Sequence, residues 1–183
     1  MTAIIGRPDA GEYAPDFAEY IILVPGDDIL TQLDRQLETT LSFFKNITEE
    51  RSLYRYAPEK WSIRDVLGHL IDAERIMACR ALRFARGDRT PVPGFEQDDY
   101  VRYGPFGHCR LVDLVGEFRS VRQVTWSLFR ALDEAAWERR GVANKSEISV
   151  RALAYIIAGH ELHHRRVLQE RYFVANAPAA AKS

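Results

Sequence analysis

The sequence predicts an all-α fold: a four-helix bundle with a long loop between its second and third helices. Three observations carry this expectation. Four segments place apolar residues at helical spacing. Three of the four open on a residue able to cap a helix, namely Asp28, Ser62 and Ser149. No stretch shows convincing strand alternation. At 183 residues the default is one domain, spanning 1–183.

Residues 1–26 read as an irregular segment, with Pro8, Pro15 and Pro25 spread through it. Tyr13, Phe17, Tyr20 and Ile22 suggest that it packs onto the body of the protein. After Asp27 and Asp28, the apolar series Ile29, Leu30, Leu33, Leu37, Leu41 and Phe44 carries the first helix to about Glu49. Ser62 with Asp65 three residues on opens the second helix. Val66, Leu67, Leu70, Ala73, Ile76, Met77 and Phe84 extend it to about Arg86, and Gly87 is placed to end it. Residues 87–109, rich in glycine and proline, predict a long loop, and loops of this length are often functional. The series from Leu111 to Leu132 makes the third helix, reaching about Trp137. A polar stretch, Gly141 to Glu147, separates it from the fourth, which runs from Ser149 to about Val174. The Ala- and Pro-rich tail, 176–183, predicts disorder. Linkers of roughly ten and twenty residues leave room for a crossover in the bundle.

Composition narrows the function. A net charge of −1 and a pI near 6.5 argue against nucleic acid as a general partner, since phosphate-backbone affinity needs a basic surface. Cys79 and Cys109 form no paired motif and read as free thiols of a reducing cytoplasm. The N-terminus carries no secretory pattern, and runs such as Tyr20 to Val24 are too short to span a membrane. A soluble, cytoplasmic protein is expected.

The chemistry concentrates in His160-Glu161-Leu162-His163-His164. Residues i and i+4 stand one above the other on a helix, and neutral imidazole is the commonest metal ligand. At about 100° per residue, His160 and His164 share the apolar face of Leu153, Ile157, Val167 and Leu168. His163 and Glu161 fall to its two flanks. In the second helix His69 shares a face with Val66, Ala73 and Ile76 and also points inward. A single histidine on an apolar face is usually a hydrogen-bonded core residue, and His69 alone would be read so. Three inward histidines on two helices would each need a buried partner, and one shared cation satisfies them together. His108, in the loop beside Cys109, reads as a surface residue.

The literal H-E-x-x-H match raises a zinc protease. The elongated form of that motif needs glycine at 167 and histidine at 170, where this chain has Val167 and Glu170. Its other form needs a glutamate on a later helix, but the sole acidic residue after His164 is Glu170, on the same helix. The protease reading therefore fails, and the third ligand has to come from upstream, where His69 is the one histidine placed for it.

Two stretches resemble the DinB/YfiT-like superfamily of four-helix-bundle metalloproteins. Tyr56-Ala57-Pro58-Glu59-Lys60-Trp61-Ser62-Ile63-Arg64-Asp65-Val66-Leu67-Gly68-His69-Leu70-Ile71-Asp72-Ala73-Glu74-Arg75 resembles its second-helix signature. Gly159 to Arg165 resembles its fourth-helix signature. The resemblance covers most of the chain. It implies a divalent metal, often nickel or zinc, on three histidines, which by position are His69, His160 and His164. It also implies homodimers, a small-molecule substrate, and either of two activities: transfer or isomerisation with a low-molecular-weight thiol, or metal-dependent hydrolysis. A non-catalytic, stress-linked metal-binding protein is the alternative. Beside this ligand set, Glu161 is expected either to orient a histidine from behind or to stand as a solvated carboxylate. Phe95, Tyr100, Tyr103 and Phe106 are expected to wall a pocket, with Trp61 packing at the bundle end.

Overall fold

The computed structural model describes residues 5–173. Four long helices form the body: α2 (Ile29–Lys45), α3 (Ile63–Ala85), α5 (Leu111–Arg130) and α7 (Val150–Val167). Three short ones, α1 (Ala18–Leu23), α4 (Gln97–Tyr103) and α6 (Glu134–Glu138), lie between or before them. A hairpin of β1 (Arg140–Ala143) and β2 (Ser146–Ser149) precedes α7. One turn of π-helix, Leu168–Tyr172, continues α7.

The expected caps form. Asp28 accepts from the Thr31 amide, and Ser149 from the Ala152 amide. Ser62 and Asp65 bond each other's backbone amides in a reciprocal box. Gly87 takes the left-handed conformation, φ 78°, that ends α3. Going round the bundle the order is α2, α5, α3, α7, so the consecutive helices α2 and α3 lie across the diagonal. The long linkers make this crossover possible.

Five expectations are corrected. Residues 5–26 are not irregular: 3-10 turns at Ala10–Glu12 and Pro15–Phe17 lead into α1, which packs on α7. Buried Glu12 anchors them by accepting from Ser149 Oγ at 2.6 Å and pairing with Arg151. Residues 87–109 contain α4, whose acidic first turn (Asp98, Asp99) and closing Arg102 suit the helix dipole. The third helix stops at Arg130, because Asp133 caps a new start for α6 by accepting from Ala136 N at 2.8 Å. The polar stretch is a hairpin turning on Asn144 and Lys145, both with positive φ. The first helix also ends early, at Lys45, where Arg64 draws Glu49 and Ser52 across the start of α3. The expected tail, 176–183, lies outside the described residues. Among the described residues no helix is long and apolar enough to cross a membrane.

The apolar interior falls into two clusters. One gathers α1, the hairpin and the first half of α7 around Phe84, Phe129 and Tyr155. The other gathers the first halves of α3 and α5 with Leu168 and Tyr172. The histidines lie at the seam between them: His69 between Leu67 and Ala73, His160 and His164 between Ile157 and Leu168.

Candidate metal centre

His69 comes from α3, and His160 and His164 from α7, two helices packed side by side. One ring nitrogen from each lies within 4.8 Å of the others. His69 Nε2 and His160 Nε2 are 3.0 Å apart. His69 and His160 are buried, and His164 is half-buried. The rings meet edge to face at centroid distances of 4.6–4.8 Å.

Two glycines permit this approach. A Cβ on Gly159, next to His160, would stand 2.0 Å from the backbone oxygen of Tyr20, so α1 rests directly on α7 there. A Cβ on Gly68, next to His69, would enter the Phe106 ring at 2.3 Å. Gly159→Ala is expected to cost ~1–3 kcal/mol, because the obstacle is backbone and cannot rotate away. A thermal melt checks this, and an unchanged midpoint would contradict the contact.

The donor set fits a divalent ion. Burial lowers all three imidazole pKa values, His69 to about 4 and His164 to about 3, and neighbouring histidines lower His160 and His164 further. Each ring is therefore neutral at pH 7 and holds a lone pair. A 3.0 Å gap between two nitrogens suits ligands sharing one ion at bond lengths of about 2.0–2.1 Å.

The same shifts set an acid sensitivity. The unfolded chain takes up protons near pH 6.5, while the native rings resist them, so acid favours unfolding. Metal-free protein is expected to hold full stability above about pH 6.5 and to lose it progressively toward pH 4, on the order of 3 kcal/mol from His69 alone. Denaturant melts between pH 7.5 and 4.5 check this, and a flat profile would contradict it. The depressed values also move the expected release of an ion below pH 6, the point free imidazoles would suggest.

The structure puts the other sequence candidates elsewhere. Glu161 makes no hydrogen bond to a histidine and is not solvated, being 1% exposed. It accepts from Thr40 Oγ1 and pairs with Arg122 Nη1 at 2.6 Å. Arg122 forks onto Glu74 at 2.8 and 2.9 Å, so one cation is clasped between two buried carboxylates behind the site. Burial works against the Arg122 charge, but Glu161 and Glu74 outweigh it and raise its pKa. Glu161 is thus occupied as a structural anion, and the hydrolytic base role of the protease motif has no geometry here. His108 is exposed. His163 stands beside the centre, its ring 5.1 Å from that of His164, with a buried Nδ1 that has no partner among the described residues.

Three further residues near the centre are not expected at the site from the sequence. Tyr20 sets its ring edge to face with His160 at 5.5 Å. Burial, then the charge of Glu19, raises its pKa and keeps the phenol protonated. Trp61 lies 4.8 Å from the His69 ring and stacks near His164 at 6.3 Å, so it borders the site as well as packing at the bundle end. Arg80 lines the same cavity as His69 and His160.

That cavity has a volume of about 200 Å³ and a largely apolar wall including Phe17, Ala73, Met77, Phe95 and Ile156. Of the expected wall residues only Phe95 faces it. Tyr100 meets Phe95 edge to face, Phe106 fills the space over Gly68, and Tyr103 is exposed. Phe95 is positioned because Val92 pairs with the hairpin through Val142 O at 2.8 Å and Asn144 N at 3.0 Å. A separate cleft, bordered by Trp61, Lys60 and His163, reaches His164.

Residues 32–168 match the family model of the DinB superfamily. The chain belongs to that superfamily. Among solved structures it is similar to YfiT from Bacillus subtilis, described as a probable metal-dependent hydrolase with an unusual four-helix bundle topology. That match has 15% identity and a TM-score of 0.62, covering 91% of this chain and 93% of the other. It is also similar to a mycothiol-dependent maleylpyruvate isomerase, at 12% identity and TM-score 0.62, over 75% of this chain and 58% of that one. No curated protein matches the sequence. The similarities establish a DinB-like fold for this chain, the bundle that the sequence predicted.

Proposed function

We propose that this DinB-superfamily protein is a metal-dependent enzyme acting on a small electrophilic substrate. In this reading His69, His160 and His164 hold one divalent ion, nickel or zinc. The carrying observation is that three neutral imidazoles converge beside a largely apolar cavity that His69 and His160 line, with no fourth histidine, cysteine or carboxylate in the cluster among the described residues. A closed structural site would have four protein ligands; three leave a position for a reactant. Bound there, the ion supplies Lewis acidity, acidifying a water or thiol and polarising an electrophile.

The chain's own residues supply the surroundings. Phe17, Met77, Phe95 and Ile156 give the cavity an apolar wall. Tyr20 offers a protonated phenol at its wall. Glu161 is engaged by Arg122 and Thr40 behind the centre. A low-molecular-weight thiol as nucleophile is favoured by the two approaches to the centre. The cavity at His69 and His160 and the cleft at His164 and Trp61 share no lining residue and offer two places for reactants at the centre. Hydrolysis, with water in place of the thiol, needs only one approach and is supported by the description of YfiT.

The test incubates metal-loaded and metal-free protein with glutathione, bacillithiol or mycothiol and a chromogenic aryl chloride, and separately with an aryl ester. Turnover needing both metal and thiol supports transfer, and metal-dependent ester cleavage without thiol supports hydrolysis. Failure of both would overturn the enzyme reading and leave a metal-binding protein.

A further inference from the structure

The side chain of Arg80 points to the chemical class of the substrate. Arg80 is 7% exposed and lines the cavity that His69 and His160 share. Its Nη2 donates to Pro93 O at 2.9 Å, and its guanidinium sits over the Phe95 ring at 5.7 Å. Its Nε is buried without a partner, and no carboxylate lies within ion-pair distance among the described residues. Glu147, which also borders the cavity, is taken by Arg140 at 2.8 Å. A buried cation with no counter-ion is costly, and every other arginine of comparable burial here has its anion: Arg64 has Glu49, and Arg122 has Glu74 and Glu161. Burial lowers the Arg80 pKa, which a bound anion would reverse.

Helix geometry places this cation relative to the centre. His69 and Arg80 are eleven residues apart on α3, a rise of ~16 Å that brings them back to the same face. Ala73 and Met77 form the apolar floor between them. We propose that the cavity takes a small organic acid, its carboxylate paired with Arg80 and its reactive end at the three histidines. This rests on the metal-enzyme reading above for the reactive end only. The guanidinium fork suits a planar carboxylate. One cation, with Glu147 close by, favours a monoanion over a phosphate dianion.

The test compares 4-phenylbutyrate, its neutral amide and phenyl phosphate by titration calorimetry, on zinc-loaded and chelator-treated protein. The carboxylate is expected to bind roughly tenfold tighter than the amide in both forms, and phenyl phosphate no tighter than the carboxylate. Arg80→Met is expected to lose that preference. The Arg80 Nε–H resonance is a second readout in unaltered protein; it is expected to shift with the acid and not with the amide. A preference surviving Arg80→Met, an unmoved resonance, or tighter phosphate binding would each overturn the proposal. A preference that vanishes on metal removal would assign the carboxylate to the ion and overturn the Arg80 role while leaving the metal reading intact. Failure to bind metal, read by elemental analysis of the same samples, would leave the metal-free comparison valid.

Discussion

Replacing His160 with alanine is expected to remove the divalent ion while leaving the bundle folded. His160 holds the middle of the set: its Nε2 is 3.0 Å from that of His69, and its ring centroid is 4.6 Å from that of His164. Two imidazoles from different helices remain in the variant, too few to hold an ion at neutral pH. The affinity loss is expected to reach roughly 100-fold or more, the upper range for residues that merely support a ligand. The fold should persist, since α7 keeps its cap at Ser149 and its buried face of Leu153, Ile156 and Ile157. Elemental analysis after dialysis, with circular dichroism on the same sample, reads both outcomes. Glu161→Gln is the matched control, expected to keep the ion, because that carboxylate faces Arg122 and Thr40 and no histidine. A His160→Ala protein with full metal content would refute the ligand set.

The largest effect on stability is expected from Arg122→Met. Arg122 is 1% exposed, and its guanidinium is shared by Glu74 and Glu161, themselves 4% and 1% exposed. Removing the cation strands two carboxylates in the interior of the bundle. Breaking a buried pair in this way costs about 3–5 kcal/mol, a fall of roughly 10 °C or more in midpoint for a chain of this size. Neutralising both acids in the same protein, Arg122→Met with Glu74→Gln and Glu161→Leu, should recover most of the loss, because no buried charge is left unpaired. Denaturant titrations of both variants measure the difference. A loss below about 1 kcal/mol for Arg122→Met would show that the cluster is not the anchor of α7 that its burial indicates.

The bundle was legible because its signals are local. Ser62 with Asp65, Ser149 and the 3.6-residue apolar spacing each act within a turn or two. The inward faces of His69, His160 and His164 follow from the same spacing. Local signals failed where partners are distant in sequence. The hairpin was missed because its strands have four residues each and Lys145 occupies a left-handed turn position where glycine is the usual sign. Helix α1 escapes the sequence reading because the flanking Pro15 and Pro25 outweigh Tyr20 and Ile21, and the packing of Tyr20 depends on Gly159 far along the chain. The role of Glu161 needed Arg122, and the signal was present: an arginine on the apolar stripe of Phe118, Thr125 and Phe129 invites a search for a buried acid. Arg80 carried no such sign, since its isolation from carboxylates exists only in three dimensions.

The central claim is one divalent ion on three imidazoles. X-ray absorption at the metal edge of protein purified without tag or chelator tests it most directly. For zinc, about one ion per chain is expected, with three imidazole nitrogens at about 2.0–2.1 Å, a non-protein ligand in the open position, and no sulfur from the chain, since neither Cys79 nor Cys109 belongs to the cluster. Two or more sulfurs in the shell, or fewer than three imidazoles at full occupancy, would contradict the site formed by His69, His160 and His164.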